Sequence, residues 1–239
     1  MNKFHVVLAS SFTLASAASA VNPQMGGMMK HLGVEMHGGS MLHIHVDHSV
    51  PTPLLQNYGH AYDAPADVLN DTMYNAQYGW MIEGFWTLPP NATIWIEQLD
   101  ATPGLQVYIG GTMMNQGTFA PIFGTAGSSP RIAWNGTMLH NWYAVTTPGV
   151  YEATYRVYLG DANGLPLPGY FADEVTIEWF AQGPCQADLN SDGILDFFDV
   201  QAFLGAFSAG DLSVDFVDDG VLDFFDVQAF LAAFSAGCP

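Results

Sequence analysis

Basic residues are the first scarcity. Lys and Arg number 4 in a chain of 239 residues, against 23 Asp and Glu. A surface with so little positive charge repels phosphate backbones and acidic lipid headgroups, which excludes nucleic acid as a partner. Long apolar runs are also missing. Beyond the N-terminus no stretch reaches 18 uninterrupted apolar residues, so no later membrane span is expected. Gly-x-Ser-x-Gly, His-Glu-x-x-His and phosphate-loop motifs are absent, which removes the familiar signatures of several hydrolases and nucleotide enzymes. Cysteine is scarce too. There are two, Cys185 and Cys238.

What is present divides unevenly. The length suits one ordinary domain with a real core plus a small accessory unit. Residues 1–20 read as a signal peptide. Lys3 supplies a positive start, an apolar and small-residue stretch follows, and Ala18-Ser19-Ala20 forms an A-x-A cleavage site. Export to an oxidising compartment and, after processing, a secreted, cell-surface-associated protein are therefore expected. Residues 21–40, rich in Met and Gly, read as flexible. Residues 41–181 have the texture of short strands separated by Pro, Gly and Asn. Strands are expected at 42–50, 78–88, 93–99, 105–110, 131–134, 142–145, 151–159 and 175–180. Several of these alternate apolar and polar residues, the period of a half-buried strand. About eight strands with no long helical period favour a mainly β domain, an antiparallel sandwich or jelly roll. Residues 182–184 read as a linker.

Residues 185–239 carry ten Asp and no Lys, Arg, Glu or His. They are also full of Phe, Leu and Val, which a disordered acidic tail lacks. Within them a repeat recurs after 27 residues: residues 193–204 read GILDFFDVQAFL and residues 220–231 read GVLDFFDVQAFL. Each copy fits a twelve-residue calcium loop. Such a loop supplies oxygen from positions 1, 3, 5, 9 and 12 and a backbone carbonyl from position 7, with Gly at the sharp turn of position 6. The first copy gives Asp188, Asn190, Asp192, Gly193, Ile194, Asp196 and Asp199. The second gives Asp215, Asp219, Gly220, Val221, Asp223 and Asp226, with Val217 at position 3, where a side-chain oxygen is missing. A strong first site and a weaker second are expected. Without a cation, four Asp per loop would repel one another. One helix should follow each loop, burying Val200, Phe203, Leu204 and Phe207 in the first copy and Val227, Phe230, Leu231 and Phe234 in the second. Gly210 and Gly237 suit C-terminal caps. Cys185 and Cys238 bracket the segment. An exported chain favours a disulfide between them, which would close about 54 residues and contribute about 4 kcal/mol in the chain-entropy model.

No helix precedes either loop, so the unit is half an EF-hand, duplicated. The pattern Asp188-x-Asn190-x-Asp192-Gly193-x-x-Asp196-x-x-Asp199 and its second copy resemble the dockerin family. The bracketing cysteines make it look most like the modules on planctomycete exported proteins. The resemblance implies calcium binding and docking on a cohesin-like or other surface scaffold protein. The chain departs from the family where Phe197, Phe198, Phe224 and Phe225 replace small polar recognition residues. Basic residues later in each helix are also replaced, by Leu204-Gly205 and Leu231-Ala232. The Phe pairs are either a hydrophobic docking face or core.

In the β domain, His43, His45 and Asp47 alternate, so a strand would place them on one face. His31, His37, His48 and His60 lie close by in sequence. Imidazoles at i and i+2 with a carboxylate suit zinc or copper, and Met25, Met28, Met29, Met36 and Met41 add thioethers in the same region. The segments from His140 to Val145 and from Tyr151 to Asp161 resemble surface-anchored bacterial proteins repressed by the zinc-uptake regulator. That similarity implies a zinc-linked, anchored β domain without catalysis. Two other functions are weighed against it. A carbohydrate-binding module would use Trp80, Trp86, Trp95, Trp134, Trp142 and Trp179 against polysaccharide. A glycoside hydrolase would need two carboxylates about 5–10 Å apart, and among Glu83, Glu97, Glu152 and Glu178 no spacing singles out a pair. The sequence reading is therefore a non-catalytic exported protein with calcium, and zinc at the His cluster, as its metals.

Overall fold

The computed structural model describes residues 22–111, 116–181, 186–190, 194–217 and 219–237. The expected leader, the linker at 182–184, and both Cys185 and Cys238 lie outside the described residues, so the expected disulfide does too.

Two sheets make up the β domain. The first contains β1 (Lys30–His37), β2 (Met41–Val46), β4 (Met73–Asn75), β5 (Tyr78–Ile82), β7 (Gln106–Gly111), β8 (Pro121–Ile122) and β10 (Leu139–Val145). Its order is β2-β1-β5-β10-β7-β8, with β4 also paired to β10. The second contains β3 (Leu54–Leu55), β6 (Thr93–Ala101), β9 (Arg131–Trp134), β11 (Gly149–Gly160) and β12 (Asp173–Ala181), in the order β3-β12-β11-β6-β9.

The alternation in the sequence becomes the two faces of each sheet. In β6, Ile94 and Ile96 are buried while Trp95 and Glu97 are half-exposed. In β12, Ile177, Trp179 and Ala181 point inward. The inward faces meet in one core. Trp179 of the second sheet packs against Tyr78 and Tyr143 of the first, with ring centroids 5.3 and 4.4 Å apart. Trp80 meets Tyr155 at 5.8 Å. Non-polar burial of this kind, at about 25 cal/mol per Å², is what joins the sheets.

Two expectations need correction. The sheets are not wholly antiparallel: β1 pairs with β5, and β3 with β12, in parallel. A parallel pair needs a long crossover, and the chain between β2 and β5 provides one by visiting the second sheet through β3. The segment 21–40 is also not simply a flexible lead-in. Within it Lys30–His37 is an interior strand, paired with β2 on one side and β5 on the other. Leu32 and Val34 are fully buried there. The alternation Leu32-x-Val34-x-Met36 carries this signal, but the Met and Gly content around it hides it.

A second aromatic cluster covers part of the outer face of the first sheet. Trp142 stacks on Phe119 at 5.4 Å, and Tyr58, Tyr62, Tyr74 and Tyr108 complete it.

The C-terminal unit has two helices, α1 (Phe197–Ala209) and α2 (Phe224–Ala236). Each starts at a reciprocal capping box, Asp196 with Asp199 and Asp223 with Asp226. Such boxes satisfy amides that the first helical turn leaves without partners. Gly210 closes α1 in the left-handed region at φ 73°. Phe203 and Phe230 form the centre of a small core with Val214 and Ala187. The helix stripe is narrower than expected. Leu204 and Leu231 are exposed, and Ala206 and Ala233 pack inward with Phe207 and Phe234.

Candidate functional site

The capping boxes also set the acidic loops. Asp199, at the twelfth loop position, is fully buried. Its Oδ1 accepts the amides of Leu189 at 2.9 Å and Asn190 at 3.3 Å, and its Oδ2 accepts that of Asp196 at 2.9 Å. Asp226 repeats the arrangement, fully buried, with the Val217 amide at 3.1 Å and the Asp223 amide at 2.8 Å. The Asp223 amide holds the Asp226 carboxyl below its usual range, and the Val217 amide adds to this against the effect of burial. An ionised carboxylate is the form that ligates calcium.

The rest of the second loop closes on its own first residue. Asp215 accepts the amides of Asp219 at 3.3 Å and Gly220 at 2.7 Å, and Asp219 accepts that of Val221 at 2.9 Å. Gly220 has φ 80°, as the sharp turn at position 6 requires. Val217 stands at position 3, part-exposed, and contributes only its backbone. In the first loop Asp188, Asn190, Ile194 and Asp196 are described, while Asp192 lies outside the described residues. Among the described residues no three His, Cys, Asp or Glu side chains gather as a metal-binding group. The carboxylates of Asp196, Asp199, Asp215, Asp219, Asp223 and Asp226 accept backbone amides of their own loops and helix starts.

The Phe pairs are not core. Phe197, Phe198, Phe224 and Phe225 are 72, 59, 72 and 60% exposed. Phe197 and Leu204 lie seven residues apart, as do Phe224 and Leu231, so each pair shares one helix face. The same apolar surface occurs twice, once per repeat.

The histidine face forms differently from expectation. His43 and His45 do share the outward face of β2. His43 Nδ1 lies 3.3 Å from Asp173 Oδ2, and His45 Nδ1 lies 3.9 Å from Glu83 Oε2. His37 sits 2.8 Å from Glu35, with its ring 5.3 Å from that of His43. Asp47 does not join them. β2 ends at Val46, and the Asp47 carboxylate accepts both the amide and the hydroxyl of Ser49 in a tight turn. The Ser49 hydroxyl, then its amide, hold the Asp47 carboxyl below the usual value.

The tryptophans and glutamates are likewise placed. None of the six tryptophans is exposed, and Trp80, Trp134, Trp142 and Trp179 are buried. Glu97 is ion-paired with Arg156. Glu152 and Glu178 are cross-strand neighbours on the outward side of the second sheet. Glu152 also lines a shallow cavity of about 300 Å³ with Asp100.

Sequence reasoning did not single out His140 as a functional residue. It is buried between β5 and β7, and burial holds its imidazole below the ordinary histidine value. Its signal in the sequence would have been the glycines facing it, Gly79 and Gly111, and those become neighbours only once the strands pair. No protein-family model matches this chain, and no curated protein sequence matches it either.

Proposed function

We propose that this is an exported, non-catalytic docking protein whose C-terminal unit binds calcium in two unequal loops and attaches the β domain to a scaffold protein. The observation that carries the reading is the repeated placement of Asp199 and Asp226. Each is a buried twelfth-position carboxylate that ties its own loop to the start of its own helix. A cation there would replace amide donors with a charge that neutralises the clustered Asp residues. The helices, and the Phe pairs at their starts, would be fixed in orientation by the same event.

The exposed apolar faces support the docking half of the reading. Phe197, Phe198 and Leu204, and their repeats Phe224, Phe225 and Leu231, are exposed apolar side chains on two helices, more than scattered single surface residues would require. Their partner would be a protein presenting a complementary apolar surface, in the manner of a cohesin. The expected zinc site at His43, His45 and Asp47 has less support, since each imidazole stands beside a carboxylate and Asp47 is closed in its turn.

Calorimetric titration of the full chain with calcium tests the first half. Two binding events of unequal affinity are expected, and Asp199→Ala with Asp226→Ala should remove both. A flat titration, with a melting temperature indifferent to chelator, would refute the reading. Replacing all four Phe by Ser should leave calcium uptake intact and abolish capture of the scaffold partner.

A further inference from the structure

The outer face of the first sheet holds a row of residues at one level. His31 of β1 is the register partner of Gly79 in β5, and Gly79 is the partner of His140 in β10. Partners in adjacent strands share a face, so the two histidines flank a residue without a side chain. The His140 ring leans over that gap. A Cβ on Gly79 would stand 2.4 Å from its Cε1 and 2.6 Å from its Nε2.

The tautomer of His140 follows from one hydrogen bond. Its Nδ1 lies 2.9 Å from the Ala76 carbonyl oxygen. A carbonyl only accepts, so Nδ1 carries the hydrogen and the neutral ring leaves a lone pair on Nε2. That atom is buried and has no hydrogen-bond partner. The Nε2 of His31 is also buried and without a partner. Burying polar nitrogen in this way costs free energy unless something binds it. A ring that gives one N–H to a backbone carbonyl and leaves the other nitrogen bare has the arrangement found in metal-ligating histidine.

We propose that His31 and His140 form a two-imidazole site for a copper(I) ion, bound through their Nε2 atoms across Gly79. The donor set selects the metal. Two neutral nitrogens satisfy a monovalent ion that accepts low coordination, whereas zinc takes four ligands. Asp47, whose amide donates to the His31 carbonyl, has its carboxylate engaged by Ser49, and Glu83, which lies over Gly33, stands beside His45, so the row offers little negative charge to offset a buried dication. A soft donor is at hand as well. Met25 lines, with His140, Gln116 and Trp142, a cavity of about 120 Å³ beside the row. Thioether and imidazole together favour copper(I).

The test is anaerobic competition of the signal-cleaved full chain against bicinchoninate-bound copper(I), with zinc(II) offered in a parallel arm. One copper(I) per chain should leave the chelator. His31→Ala should abolish the uptake. So should His140→Asn, whose amide still donates to the Ala76 carbonyl but has no nitrogen at the ligating position. His43→Ala with His45→Ala should keep it, as should the calcium-loop variants, so failure here is distinct from failure of the docking reading. If His140→Asn does not fold by near-ultraviolet circular dichroism, the half-exposed His31 position decides. The proposal is overturned by no uptake in the parent chain, by uptake that survives His31→Ala, by loss in the His43/His45 variant, or by zinc taken in preference to copper(I).

Discussion

Phe203 and Phe230 stack face to face, ring centroids 4.2 Å apart and planes 6° from parallel. They are equivalent positions of the repeat, 27 residues apart, so each copy presents the same side chain to the other. Phe207, Phe216 and Phe234 surround the stack at 5.5–5.9 Å. The core around it is small, and a small core leaves little stability in reserve. Phe203→Ala should cost about 3–5 kcal/mol, the range for a buried Phe truncated to a cavity. That is comparable to the whole stability expected of so small a unit. Scanning calorimetry should lose the transition of the C-terminal unit, and if the loops bind calcium as proposed, saturating calcium should restore part of it by mass action. An unchanged transition would mean that the stack contributes nothing to the fold.

Val217 offers the opposite experiment, a gain. It occupies position 3 of the second loop and is part-exposed, so a polar side chain there meets no packed core. Its amide already serves Asp226, and a substitution leaves that bond in place. Val217→Asp adds one carboxylate oxygen to the loop. If the second loop binds calcium as proposed, the weaker event should tighten by about tenfold or more, because ligand charge and number tune loop affinity. Titration should then show two events drawing together. If the weaker event stays where it was, the second loop does not bind through this geometry.

The β domain was largely legible because alternation survives in the sequence wherever one face is solvated. The strand expected at 131–134 is Arg131–Trp134 in the structure, and the one expected at 93–99 is Thr93–Ala101. What failed was non-local. The alternation of β1 was masked by the Met and Gly around it, and β3, β4 and β8 are two- or three-residue strands whose existence depends on the neighbour they meet. The two helices of the C-terminal unit were readable because the repeat and the capping Asp residues that start each helix are local. Exposure of Leu204 and Leu231 was not, since a helix stripe does not say how wide the opposing surface is. The His31–Gly79–His140 row was invisible for the same reason as the parallel pairing: three strands distant in sequence create it.

Trp179 tests whether the two sheets depend on one cross-layer contact. It is fully buried between Tyr78 and Tyr143. Trp179→Ala should destabilise the β domain by about 3–5 kcal/mol, whereas Trp179→Phe keeps much of the ring contact and should cost less. Denaturant unfolding followed by circular dichroism reads both. Equal losses for the two variants would show that volume at this position does not matter.

Asp161 gives a dependence on pH whose sign is fixed by its partners. Its Oδ1 accepts the amides of Asn163 at 2.8 Å and Leu165 at 3.0 Å, and its carbonyl oxygen accepts the Trp95 indole N–H at 3.0 Å. The same turn presents the Asn163 and Gly164 carbonyls to Arg131, whose guanidinium lies over the Trp95 ring. The Leu165 amide, then that of Asn163, hold the Asp161 carboxyl below its usual value. An unfolded chain therefore binds this proton more readily than the folded one. The stabilisation is fully present above the ordinary Asp value of about 3.9 and is lost as pH falls through the lower folded value. Asp161→Asn keeps an acceptor oxygen but removes the charge. Its melting temperature should lie below that of the parent chain at neutral pH, and the gap should close below about pH 4. A gap that stays constant down to strong acid would show that the turn is held by the shape of the side chain and not by its ionisation.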